Sequence, residues 1–188
     1  SLLPAYQSGQ LLVVHATGST DPTRSHFDAQ FYMEIGKPGD KNVVTGWLGR
    51  HLASKPPAKA DAALRAMAFN FGFPQTLVGA PDTLPIPNPA SFGLAGNSST
   101  RNQRLAFLGN AYATEQDPIK TAAANTQRTM TTLAALNINQ YAPSGGAVYP
   151  AGSFGTALRS TAAMIRADIG LEAVQIDIGG WDTHSAQG

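Results

Sequence analysis

The chain has 188 residues, 13 Lys and Arg against 12 Asp and Glu, a net charge of +1 and no cysteine. Because its basic residues are scattered, it lacks the basic patch that nucleic-acid binding requires. The absence of cysteine excludes disulfides, thiolate zinc sites and a cysteine nucleophile. No apolar run approaches the ~18–20 residues that span a bilayer. We therefore expect no nucleic-acid partner and no transmembrane segment, and any bound metal must be held by His and carboxylate side chains.

The first predicted elements are a strand and a helix joined by a polar loop. Leu11–Ala16 is a short apolar run followed by the turn-rich residues 17–22, a pattern typical of a strand buried in a parallel sheet. His15, inside that run, is expected to be a hydrogen-bonded core residue. Ser25 can cap a helix that we place over about residues 26–35.

The middle of the chain carries less regular signals. Trp47–Ser54 predicts a second short helix that ends before two prolines, whereas residues 62–71 are apolar enough for either a strand or a helix. Residues 79–96 contain four prolines and almost no periodicity. This composition favours an extended surface segment, a lid or an insertion, over an element of the core.

The last part of the chain predicts three helices and a final strand. Asn102–Gln116 and Pro118–Leu136 are rich in good helix formers, and a third helix, Ser153–Asp168, can be capped by its first residue. A glycine turn then leads into the apolar strand Leu171–Ile178. A helix that feeds a strand in this way predicts an α/β fold with a mostly parallel sheet flanked by helices.

Two polar clusters follow the first and last predicted strands, where ligands gather in open α/β sheets. Residues 18–28 place hydroxyls with an arginine, a histidine and two aspartates over the start of a helix, where backbone N–H groups and the helix dipole favour an anion. In residues 179–184, two glycines precede Asp182 and His184, a carboxylate and an imidazole two residues apart that could both ligate a hard metal ion.

Each cluster also has a purely structural interpretation. A serine or aspartate before a helix is more often a cap than a catalytic group. An Asp-x-His sequence after a strand is commonly an Asx-turn with an exposed histidine, and a catalytic zinc needs about three protein ligands. Spacing alone therefore leaves the chemistry of both clusters open.

Three segments together resemble a bacterial family known as domain-of-unknown-function family 1501, which is grouped with the alkaline phosphatases and sulfatases. They are Gly9–Gln30, with its Arg-Ser-His-Phe-Asp-Ala-Gln run, Gly46–Arg50, and Gly179–Gly188. Members of that family are longer and usually begin with an export signal. The resemblance therefore implies an exported bacterial protein, periplasmic or extracellular, of which residues 1–188 are an internal fragment. It also implies that this fragment is a single partial alkaline phosphatase-like domain, incomplete at both ends of its sheet.

The resemblance further implies a metal-dependent hydrolase of phosphate or sulfate esters, with zinc, manganese or calcium as the divalent metal. Ile176–Asp182 resembles the alkaline phosphatase strand that ends in a zinc-binding aspartate, which makes Asp182 and then His184 the expected ligands. In those phosphatases the histidine follows after four residues, whereas here it follows after two.

The first cluster resembles a sulfatase nucleophile motif. Thr20-Asp21-Pro22-Thr23-Arg24 has the spacing of Cys/Ser-x-Pro-x-Arg, which implies Thr20 as the nucleophile and Arg24 as its supporting cation. Ser19 or Ser25 would serve nearly as well at a helix start. His26 and Asp28 lie within the family's signature and are expected site residues without an assigned role.

A second function class remains beside the hydrolase. The chain could be a non-catalytic, exported or cell-surface protein that keeps the same fold and binds a partner or a glycan. An anionic ester or a glycan is therefore the expected ligand class. A nucleotide-binding domain is disfavoured, since no glycine-rich loop of the required spacing follows either strand.

Overall fold

The computed structural model describes residues 2–180, and the chain divides into two compact units, residues 1–44 and 45–188. The first unit contains helix α1 (Leu3–Gln7) and helix α2 (His26–Ile35). Ser25 caps α2 by accepting a hydrogen bond from the Asp28 backbone N–H at 3.3 Å, and Gly36 ends it with a φ of 64°. The predicted helix over residues 26–35 and its cap are confirmed.

The strand predicted at Leu11–Ala16 is wrong. These residues form no strand, and Leu12, Val13 and Val14 are 82%, 51% and 62% exposed. His15 is exposed as well, so it is not a core residue. A strand requires a hydrogen-bonded neighbour, and the described part of the first unit contains no other strand to supply one.

The second unit contains a three-stranded sheet and four α-helices among its described residues. In chain order these are α3 (Trp47–Ala53), β1 (Ala66–Ala68), β2 (Thr83–Pro85), α4 (Arg101–Ala113), α5 (Ile119–Ala135), α6 (Ser153–Arg166) and β3 (Ala173–Gln175). Short 3₁₀ turns cover Gln75–Leu77, Pro89–Ser91, Ser98–Thr100 and Ile138–Gln140. The predicted α/β class, the four predicted helices of this unit and the final strand are therefore confirmed in their coarse positions.

The sheet is parallel, with the order β2-β1-β3. Ala66 on β1 pairs with Thr83 on one side and with Ala173 on the other. The ambiguous segment 62–71 thus contains the central strand, and its three residues are at most 1% exposed. Burial on both faces of a central strand is what a parallel sheet covered by helices produces.

The two faces of β1 pack differently. Met67 belongs to a cluster with Ile86, Leu133 of α5 and Met164 of α6, whereas Ala66 and Ala68 pack with Leu52 of α3 and Leu77. Helices therefore cover both faces of the sheet. The alanines on the second face are small, so Leu52 of α3 packs directly against them.

The prediction that residues 79–96 lie outside the core is wrong. This segment contains the outer strand β2, and Ile86 directly after it is fully buried. The prolines of this segment argued against a strand in the sequence. Pro85 is nevertheless compatible with β2, because β2 pairs only with β1 among the described residues. An outer strand tolerates a residue without an N–H.

The predicted cap of α6 is also wrong. Gly152, with a φ of 103°, occupies the N-cap position, and no side chain caps the first turn. Ser153 is instead the first helical residue. A glycine adopts this backbone angle without the steric cost that a serine would meet.

The most buried charge in the described residues is Arg65, just before β1, which is 2% exposed. Its Nε donates to Glu172 Oε1 at 2.6 Å and its Nη2 to Glu172 Oε2 at 3.2 Å. Its Nη1 donates to the carbonyl oxygens of Leu52 at 3.0 Å and Lys55 at 3.3 Å. One guanidinium thus joins the beginnings of β1 and β3 to the end of α3.

We predict that Gly49→Ala destabilises the protein by about 1–3 kcal/mol, because an added Cβ would lie 2.2 Å from the Val78 carbonyl oxygen. The matched control is Gly109→Ala in α4, where the nearest atom is 3.4 Å away on the flexible side chain of Gln127. That control should be neutral or stabilising by about 0.5–1 kcal/mol. Urea unfolding of both variants provides the measurement, and equal midpoints would contradict the close approach of α3.

We predict an acid-dependent loss of stability from Glu172. The hydrogen bonds from Arg65 hold the pKa of this carboxyl below its ordinary value of 4.5. The ion pair therefore stabilises the fold above about pH 4.5, and its contribution is lost as the pH falls through the lower folded-state pKa. Glu172→Gln should cost about 1.5–3 kcal/mol at neutral pH, since it leaves the buried guanidinium without its counter-charge.

The same variant should also lose stability less steeply between pH 5 and 2.5 than the parent does. The exposed Asp61 provides the control substitution, Asp61→Asn, which should leave the slope unchanged. Parallel unfolding curves for the parent and Glu172→Gln over this pH range would exclude the ion pair as the source of the acid dependence.

Candidate functional site at the carboxyl ends of the strands

A cleft of about 250 Å³ lies beyond the carboxyl ends of the three strands, against the first two turns of α6. Because the strands are parallel, all three end at the same edge of the sheet. This edge is where ligands bind in open α/β folds. The cleft is therefore the candidate functional site of the second unit.

The lining of the cleft combines polar groups with aromatic and aliphatic surfaces. Its polar residues are Asn88, Ser153, Thr156, Ser160 and Asp177, and its apolar residues are Phe69, Pro87, Pro89, Phe154, Ala157 and Ile176. A few convergent polar groups within an apolar lining are typical of small-molecule sites.

Two of the polar side chains are held in place by local hydrogen bonds. Asn88, which follows β2, accepts a hydrogen bond through Oδ1 from the Ala90 N–H at 3.1 Å. Asp177, which follows β3, accepts through Oδ1 from Gln175 Nε2 at 3.1 Å. Each therefore keeps its second polar atom without a partner among the described residues.

The third polar element is one face of α6. Ser153, Thr156 and Ser160 are three and four residues apart, a spacing that places their side chains on the same side of the helix. The Thr156 hydroxyl donates back to the Gly152 carbonyl at 2.9 Å. Ser160 is only 5% exposed, and its hydroxyl makes no hydrogen bond to any residue between 2 and 180.

Residues 19–28 of the first unit form a hydrogen-bonded turn before α2. Asp21 Oδ1 accepts from the Thr23 N–H at 2.9 Å, and Thr23 Oγ1 accepts from the Ser25 N–H at 3.2 Å and donates to Asp28 Oδ2 at 3.4 Å. These are the contacts of Asx and hydroxyl turns. Much of the polar character of this cluster thus maintains the turn and the helix start.

The predicted catalytic residues all lie on this segment but differ in exposure and in hydrogen bonding. Thr20 and Arg24 are exposed, and Thr20 lies five residues before the cap of α2 rather than at the helix start. His26 is the first residue of α2, exposed, with its ring 4.4 Å from that of Phe27. Of the candidate nucleophiles, Thr20 has a hydroxyl without a hydrogen bond to any described residue, whereas that of Ser25 is occupied by the helix cap.

Asp28 is the predicted site residue with the most contacts. Besides Thr23, its Oδ1 accepts a hydrogen bond from Lys41 Nζ at 2.8 Å. This hydrogen bond, together with the charge of the carboxylate, raises the pKa of Lys41 above its ordinary value. Asp28 therefore stabilises the turn and also forms an ion pair with Lys41.

The predicted metal ligands Asp182 and His184 lie outside the described residues. Between residues 2 and 180, no three His, Asp or Glu side chains come close enough together to hold a metal ion. The nearest carboxylate before them in the sequence is Asp177 of the cleft.

Sequence reasoning missed most of the cleft. Asn88 was not recognised because prolines hid β2, and the hydroxyls of α6 lie within an alanine-rich helix. The signal that could have found them is the recurrence of Ser153, Thr156 and Ser160 on one helical face, where a core-facing helix would carry larger apolar residues.

The chain matches no family model, and comparisons with curated proteins and with solved structures found no match. The cleft and its chemistry therefore define the candidate site. None of the helices between residues 2 and 180 is both long enough and apolar enough to cross a bilayer.

We predict that Asp28→Asn lowers the pKa of Lys41 toward its ordinary value, because the charged acceptor is removed. NMR titration of the Lys41 side chain measures this directly. Asp40→Asn is the control, since Asp40 pairs with Lys37 at 2.7 Å. If the Lys41 midpoint moves equally in both variants, the Asp28 contact is not its cause.

Proposed function

We propose that the chain is part of a metal-dependent hydrolase of phosphate or sulfate esters. In this proposal Asp182 and His184 bind a divalent metal, zinc, manganese or calcium, and Thr20 is the nucleophile with Arg24 as its supporting cation. His26 and Asp28 are further site residues. The proposal takes its roles from the resemblance to domain-of-unknown-function family 1501.

The observation that carries the proposal is the position of the cleft. The chain leaves β3 through Asp177, at the carboxyl edge of a parallel sheet, and continues directly into the Gly-Gly-Trp-Asp-Thr-His sequence. Ligand-binding residues concentrate at this edge in α/β folds. A finer classification follows from the same resemblance, namely an alkaline phosphatase-like sheet in an exported protein.

The donor chemistry is suited to a divalent metal, since carboxylate oxygens and imidazole nitrogens are the ligands that zinc and manganese accept. Two ligands do not complete a catalytic set, and the described residues contain no cluster of three. A divalent metal held by Asp182 and His184 would supply Lewis-acid stabilisation of the negative charge that develops during ester hydrolysis. From the chain's own residues, the exposed Thr20 hydroxyl is the group available to attack phosphorus or sulfur.

We predict that metal analysis of the full chain by mass spectrometry shows stoichiometric zinc, manganese or calcium, and that Asp182→Ala abolishes it. His184→Ala should weaken metal binding in the same direction. Asp61→Ala, which removes an exposed carboxylate elsewhere in the second unit, is the matched control and should retain the metal.

If the parent binds no metal even after reconstitution, the hydrolase proposal fails. The non-catalytic, cell-surface binding protein then becomes the better description. If Asp182→Ala retains the metal, the protein binds a metal but Asp182 is not one of its ligands.

A further inference from the structure

Ser160 carries a hydroxyl that forms no hydrogen bond to a residue between 2 and 180. It is 5% exposed, lines the cleft, and its hydroxyl has no hydrogen bond to any described residue. A hydroxyl that is not engaged by the protein can both donate to and accept from a ligand in the cleft.

The other polar atoms of the cleft complement that hydroxyl. The Asn88 amide Nδ2 remains a donor and Asp177 Oδ2 an acceptor, because their Oδ1 atoms are already occupied. The cleft therefore offers a donor, an acceptor and a group that can do both. Adjacent hydroxyls of a polyol match this set, since each donates and accepts.

The charge of the cleft favours a neutral ligand. Its described lining holds one carboxylate, Asp177, and no Lys, Arg or His. The positive end of α6 attracts anions, but an anion in this small space would face the Asp177 carboxylate without a side-chain cation to compensate. A neutral hydroxyl oxygen benefits from the same helix end without that repulsion.

The apolar part of the lining fits the ring of a sugar. Phe69 and Phe154 give the cleft aromatic surface against which the C–H face of a ring can pack. A volume of about 250 Å³ is below the range typical of drug-sized ligands, so the cleft suits a single ring.

We propose that the cleft binds one neutral sugar ring, held by Ser160, Asn88 and Asp177 and packed against Phe69 and Phe154. The inference deepens the proposed function and rests on it in one respect: the ester that is hydrolysed is then a sugar phosphate or sulfate, with its neutral ring in the cleft. Binding of the ring itself is measured without turnover.

The test measures binding of neutral monosaccharides to the full chain by ligand-observed NMR and calorimetry. The probes are glucose, galactose, mannose and N-acetylglucosamine at up to about 50 mM, with inorganic phosphate and sulfate in parallel. We expect at least one sugar to bind, and Ser160→Ala to weaken it about five-fold, the effect of one neutral hydrogen bond. Ser54→Ala, which removes a hydroxyl outside the cleft, should bind like the parent.

Ser160→Ala should also unfold at about the same urea concentration as the parent, because the lost hydroxyl makes no hydrogen bond to a described residue. Weaker binding by an equally stable variant therefore separates a binding role from a packing role. The inference is overturned if no sugar binds, if Ser160→Ala binds the sugar as the parent does, or if phosphate or sulfate binds in preference and Ser160→Ala weakens that binding.

The two proposals fail separately. Sugar binding without metal binding leaves the cleft assignment intact and refutes the hydrolase. If the parent binds metal, Asp182→Ala loses it and no sugar binds, the metal site stands and the cleft assignment is refuted.

Discussion

The buried guanidinium of Arg65 is the constraint on which the second unit depends. A charge that is 2% exposed must be compensated where it lies, and Glu172 and the Leu52 carbonyl provide that compensation. These partners come from the start of β3 and the end of α3, so the cation fixes both elements at the amino edge of the sheet. Alignment at this edge also aligns the strands at the opposite edge, where the cleft forms.

Differences in side-chain size then decide on which side of the sheet the cleft opens. On one face, Leu52 of α3 packs against the small residues Ala66 and Ala68. The absence of a side chain at Gly49 allows the helix to approach the segment after β1. On the other face, Met164 fills the core beneath the middle of the strands. Nearer their carboxyl ends, α6 presents hydroxyls in place of large apolar side chains, and the space they leave is the cleft.

Local sequence determined the helices better than the strands. The longer helices were predictable because α4, α5 and α6 are rich in good helix formers and α2 ends at Gly36. In contrast, β1 is an Ala-Met-Ala strand whose identity comes from its two neighbours. At Leu11–Ala16 a strand was predicted that does not form. The cause is again the pairing partner, since an apolar run becomes a strand only when a neighbouring strand is available. Most of the cleft escaped prediction because β2 was not recognised and the segment that contains β1 was left open between a strand and a helix.

Pro85 has a consequence for how the sheet meets other chains. Ile86 donates its N–H to Ala68 at 2.8 Å, and backbone groups alternate in direction along a strand, so the nitrogen of Pro85 faces away from β1. At that point a strand approaching from outside finds no donor. The outer side of β2 is thereby protected against the edge-to-edge pairing through which exposed strands seed aggregates.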